Sequence, residues 1–175
     1  MFKRSVLLVG AMMLIAVAGC ANSRESCSHA ASKAATTIAV AGGELGFESS
    51  TASDFPLKVV KYHEKDCKKS FVDKYEWAGG TPQIVAAFSH PLKGKMTVWV
   101  IVSWSIDHSG AGVKGTLYQV YAYNQNPQGQ LARSRLVDGL DEMTGIEGIS
   151  DHEQSHFYGK TPAELKQLIV KLGLQ

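Results

Sequence analysis

The chain is 175 residues long, with 18 lysines and arginines against 16 aspartates and glutamates, six histidines and three cysteines. That length suits one compact domain, and 45% hydrophobic residues is ordinary for a globular fold. A formal charge of +2 excludes a strongly basic nucleic-acid binder, and 19% charged residues excludes a long disordered polyelectrolyte.

The first segment reads as an address. Lys3 and Arg4 make a short cationic start, and residues 6–18 form an apolar run too short for a permanent membrane span. Without those two cations, 16 basic residues face 16 acidic ones, so the remainder is about neutral. The run ends in Val17-Ala18-Gly19-Cys20. This string resembles the lipobox of bacterial lipoproteins, and the resemblance covers residues 1–20. It implies cleavage before Cys20, a thioether-linked diacylglycerol on its thiol and an acylated (palmitate-type) amino group. Ala21 rather than Asp after the cysteine implies sorting to the outer membrane of a Gram-negative cell, facing the periplasm. Two or three acyl chains anchor far more firmly than one, since each buried methylene adds about 0.8 kcal/mol. With Cys20 lipidated, Cys27 and Cys67 remain as an even pair in an oxidising compartment, and a disulfide between them is expected. Chain entropy makes such a bridge worth about 3–4 kcal/mol.

The expected organisation is a signal peptide at 1–19, a lipidated tether with an alanine-rich helix at 20–53, and one α+β domain at 54–175. Within the second unit, residues 30–41 read as a helix ending at Gly42-Gly43, and 46–53 as a loop. Residues 55–62 read as a strand. The lysine-rich stretch 64–77 is ambiguous: Cys67, Phe71 and Tyr75 recur every four residues, yet 71–75 also serves as an edge strand. Residues 83–89 and 96–106, joined by a turn at 91–94, read as an antiparallel hairpin. Residues 97–104 are apolar on both parities, as expected for a central strand covered on both faces. After a glycine-rich loop at 107–115, a strand at 116–123 and a turn at 126–129 lead to a returning strand within 130–137. The end is a well-punctuated helix: Thr161 as N-cap, Pro162 at the first position, Glu164 completing a capping box, and Gly173 beyond the end. Its stripe of Leu165, Leu168, Ile169 and Leu172 reads as core. The expected architecture is α+β, a mostly antiparallel sheet with the C-terminal helix packed on one face.

One string has the form of a catalytic motif. His152-Glu153-Gln154-Ser155-His156 matches HExxH, which on a helix sets two imidazoles one turn apart for zinc, with Glu153 as the base. The match to the metzincin peptidases continues to Gly159 and fails at the third-ligand position, which is Pro162. A zinc-dependent hydrolase using His152, His156 and Glu153 is therefore the alternative reading, and no cofactor is expected under the favoured one. Asp107, His108 and Ser109 are chain neighbours and cannot form a relay. No nucleophile elbow, P-loop or dinucleotide fingerprint occurs.

Charge is unevenly distributed. Residues 138–153 carry six acids (Asp138, Asp141, Glu142, Glu147, Asp151, Glu153) and no lysine or arginine, while 58–95 carry eight lysines against four acids. The acidic stretch is the candidate partner-binding surface, centred on Asp138, Asp141, Glu142 and Glu147. Trp99, Trp104, Tyr118, Tyr121 and Tyr123 read as sheet core and cross-strand pairs. The functional expectation is a lipid-anchored envelope protein that binds a protein or envelope component without catalysis; an inhibitor or an immunity-type protein would fit. No nucleic acid partner is expected.

Overall fold

The computed structural model describes residues 36–175. Among these residues ten strands and one α-helix succeed one another: β1 Thr37–Val40, β2 Gly43–Ser49, β3 Leu57–His63, β4 Lys69–Tyr75, β5 Gln83–Leu92, β6 Lys95–His108, β7 Val113–Gln125, β8 Leu131–Arg133, β9 Thr144–Ser150, β10 Glu153–Ser155 and α1 Pro162–Lys171. The first four strands form a meander, β1-β2-β3-β4. A second sheet has the order β10-β9-β7-β6-β5, with β8 also paired to β7, and every pairing among the described residues is antiparallel. The α+β architecture is as expected, but with two sheets instead of one.

β6 explains the layering. Val98, Val100, Val102, Trp104 and Ile106 face the first sheet and join Leu45, Phe47, Val59, Tyr75, Tyr121 and Tyr123 in one core. Trp99 and Ile101, of the other parity, face the opposite way and meet Val120, Val137, Met143, Phe157 and the helix residues Leu165, Leu168 and Ile169. Side chains alternate along a strand, so apolar residues on both parities require a cover on both faces. The result is three layers: sheet, sheet, and helix with its flanking loops. Burying Leu165, Leu168 and Ile169 contributes about 1.5–3 kcal/mol each. The helix starts as its sequence dictates. Thr161 Oγ1 accepts from the Glu164 amide and the Glu164 carboxylate accepts from the Thr161 amide.

Several local expectations are corrected. Residues 37–40 are strand, not helix, because Thr37, Ile38 and Val40 favour extended backbone more than their alanine neighbours favour a helix. Residues 30–35 of that expected helix lie outside the described residues. Gly42 (φ 75) completes a two-residue turn, and β2 then runs from Gly43 to Ser49 where a loop was expected from residue 46. Leu45 and Phe47 alternate into the core, so 37–49 are part of the folded body and not of a tether. The ambiguous 64–77 stretch resolves as β4, with a bulge opposite Val59 and Val60 that throws Phe71 outward. The glycine-rich loop shrinks, since β6 continues to His108 and β7 begins at Val113.

The largest departure is the acidic stretch. It is not one loop: a single turn of 3-10 helix spans Asp141–Met143, and the chain then forms the hairpin β9–β10. Glycines hide β9 in the sequence. A Cβ on Gly148 would lie 2.4 Å from the Lys114 carbonyl oxygen, and one on Gly115 would lie 2.3 Å from that of Glu147, so β7 and β9 approach closely only because both residues are glycine. Among the described residues no helix is long and apolar enough to cross a membrane.

Candidate functional site: a cleft between strand β9 and helix α1

The HExxH string does not lie on a helix. Asp151 and His152 (φ 53 and 65) form the two-residue turn of the β9–β10 hairpin, and Glu153, Gln154 and Ser155 are β10. An extended chain carries residues four apart over about 13 Å, not one helical turn. The two imidazoles have different neighbours: the ring of His152 packs over Gly112, whereas Nδ1 of His156 lies 3.1 Å from Oε1 of Glu147. Glu153 is exposed. Among the described residues no group of three or more His, Cys, Asp or Glu is placed to hold a metal ion. The donor set thus does not fit the zinc site that the string suggested.

The string's second histidine instead belongs to a fastening around Glu147. The Glu147 carboxylate accepts from Lys160 Nζ at 2.8 Å and from the Phe157 amide at 3.1 Å, with His156 alongside. The Lys160 bond, then the His156 and Phe157 bonds, hold the carboxyl down at about 2, and the same contact raises Lys160. This brings residues 156–160 back over the helix-covered face of β9. Phe157 lies against Gly145, where a Cβ would stand 2.6 Å from its ring, and stacks on Tyr118 at 5.7 Å.

Beside this fastening runs an open cleft of about 540 Å³. Its sheet wall is Thr144, Gly145 and Ile146 of β9, and its helix wall is Glu164, Gln167, Leu168 and Lys171, at helical spacing on one face. Phe157 and Leu168 give it an apolar floor, while Glu142, Ser155, His156 and the exposed Tyr158 form its rim.

The remaining candidate residues are dispersed. Asp138 pairs with Arg133 at 2.6 Å, and the Arg133 guanidinium lies over the Tyr121 ring at 4.4 Å. Asp138 and Asp141 line a separate hollow of about 430 Å³ with Gln119 and Thr144. Of the four acids expected to form one surface, Asp138 and Glu147 are paired with cations, and Glu142 reaches the cleft. The expected lipidation site Cys20 and the expected bridge partner Cys27 lie outside the described residues. Cys67 sits in the β3–β4 turn at φ 53 and is not a free thiol. Asp107 is not in a loop but near the end of β6, where it pairs across the strands with Lys114 at 3.0 Å and accepts from the Ser109 amide. The aromatics are core as expected: Trp99 and Trp104 are buried, donating to the carbonyls of His90 and Glu76.

Lys160, Phe157, Gln167 and Lys171 went unmarked in the sequence. The 164, 167, 168, 171 spacing was visible as a stripe beside the core stripe, but the strand facing it was not. Comparison with protein-family models, with curated proteins and with solved structures finds no match for this chain.

Proposed function

We propose that this is a lipid-anchored protein of the bacterial cell envelope, held through Cys20 and facing the periplasm, that binds a protein partner without catalysis. The pairing of Cys27 with Cys67 belongs to this reading, since an oxidising compartment sustains it. The observation that carries the binding role is the cleft between β9 and α1: apolar at its floor, polar at its rim, and walled by two rigid elements. Glu142 and Glu164, against Lys171 on the helix wall, favour a partner with basic side chains at the contact.

The test is site-specific photo-crosslinking in intact cells. A crosslinking residue at Gln167, on the helix wall, is expected to give one adduct of defined mass. The same residue at Lys58, on the outer face of the first sheet, is expected to give none. No adduct at Gln167, or equal adducts at both positions, refutes the cleft as the binding surface. Metabolic labelling with palmitate checks the anchor, with the label expected to be lost in Cys20→Ala.

A further inference from the structure

Strand β9 has two edges, and only one is occupied along its length. Toward β7 it pairs from Thr144 to Ile149, whereas toward β10 it pairs only through Gly148, Ile149 and Ser150. The two-residue turn fixes which backbone groups face which neighbour. Ser150 and Glu153 flank that turn and exchange both N–H···O bonds, and inward and outward pairs then alternate along the strand. Ser150, Gly148, Ile146 and Thr144 therefore turn their N–H and C=O groups toward the β10 side, and Glu147 and Gly145 turn theirs toward β7. The Thr144 amide agrees: it bonds to the Asp141 carbonyl and not to β7.

β10 ends at Ser155, opposite Gly148. Beyond it the chain leaves the plane of the sheet, because Phe157 enters the core under the helix and its amide is held by Glu147. The lane next to Ile146 is vacated just where Ile146 lines the cleft. Among the described residues no strand occupies it.

An edge N–H and C=O pair facing a groove whose far wall is a helix recognises one class of ligand, an extended polypeptide backbone. We propose that the cleft takes an extended peptide as an added strand beside Ile146, continuing the lane of β10 and lying between β9 and α1. The proposal rests on the cleft being the binding surface and names what enters it. Main-chain bonds hold the peptide, and its alternate side chains are selected. Phe157 and Leu168 take apolar ones, while Glu142 and Glu164, against Lys171, favour basic ones.

The experiment uses the full chain and four capped, fluorescent heptapeptides. One is Lys-Val-Lys-Val-Lys-Val-Lys, and one has Glu for every Lys. The other two are the lysine peptide N-methylated on its odd or on its even residues. Only one edge of an added strand meets β9, so one methylated form should bind like the parent and the other at least fivefold more weakly. The glutamate peptide should bind at least tenfold more weakly than the lysine peptide, and Glu142→Lys should narrow that gap. Hydrogen exchange at the Ile146 amide should slow when the lysine peptide is present. Equal binding of both methylated forms, or no binding of the lysine peptide, overturns strand addition. A Gln167 adduct obtained alongside either result leaves the cleft as a binding surface with a different occupant; no adduct removes both readings.

Discussion

Gly145→Ala tests the packing that shapes the cleft. The added Cβ would stand 2.6 Å from one ring carbon of Phe157, 3.3 Å from the next and 3.4 Å from the Phe157 Cβ. Carbon atoms sit best at about 3.5–4.0 Å, roughly 1 Å more than the closest of these. The backbone at 145 is not left-handed, so the methyl meets a steric problem and no backbone strain. Phe157 cannot retreat freely: its ring is buried and stacked on Tyr118, and its amide is fastened to Glu147. Overpacking of this kind costs about 1–3 kcal/mol. Restricting the unfolded chain returns about 0.4–1 kcal/mol for a glycine-to-alanine change. At the middle of both ranges the net is a loss of about 1.3 kcal/mol, or roughly 3–5 °C in Tm for a domain of this size. Thermal unfolding of Gly145→Ala, Phe157→Leu and the double variant measures it. In the double variant the methyl meets a flexible side chain, so its increment should fall to less than half. An unchanged or raised Tm in the single variant, or strict additivity in the double, refutes the account of the Gly145–Phe157 contact.

Three further outcomes are expected. Glu147 has a folded value near 2, depressed below the usual carboxylate, so its contribution is complete above about 4.5 and is lost as pH falls toward 2. The Phe157 amide resonance should titrate with a midpoint near 2 and lose that transition in Glu147→Gln; a midpoint near 4.5 contradicts the three-donor arrangement. Thr161→Ala should lower stability by about 1 kcal/mol, with Thr161→Ser retaining most of it; equal losses in calorimetry would show that the hydroxyl is not the cap. Lys61 is buried and donates to the carbonyls of Ala41 and Gly129, so Lys61→Met should cost about 1–2 kcal/mol. Burial lowers the pKa of Lys61, so the unfolded chain binds the extra proton between that lowered value and 10.5. Wild type should therefore gain stability relative to the variant as pH rises through that window, and denaturant titrations showing the opposite slope would refute the reading.

What was legible in the sequence was what a single strand or helix decides for itself. The apolar residues of β6 on both parities announced a central strand, and Thr161-Pro162 with Glu164 announced a helix start, because each signal needs no distant partner. That there are two sheets, and that β9 forms the cleft wall, was illegible for a physical reason. Gly43, Gly46, Gly145 and Gly148 interrupt β2 and β9, and glycine lowers strand propensity on its own. The structure gives three of them a reason that only tertiary contact supplies: Gly43 against the Tyr62 carbonyl, Gly145 against Phe157, and Gly148 against the Lys114 carbonyl. HExxH misled for a related reason, since its meaning depends on helical geometry that the Asp151–His152 turn removes.

Lys61 and Gln125 each donate to the same two carbonyls, those of Ala41 in the β1–β2 turn and Gly129 in the β7–β8 turn. Mechanically, this is a rivet between the two sheets close to β1, the first of the described strands. A pull applied at Thr36 would load β1, a four-residue edge strand whose bonds to β2 can open one after another. The tear would then reach Ala41, where load passes through the ammonium and the amide into the long second sheet. Peeling of β1 would thus stop at this rivet, while β9 and α1, which make no pairing with β1, keep their shape.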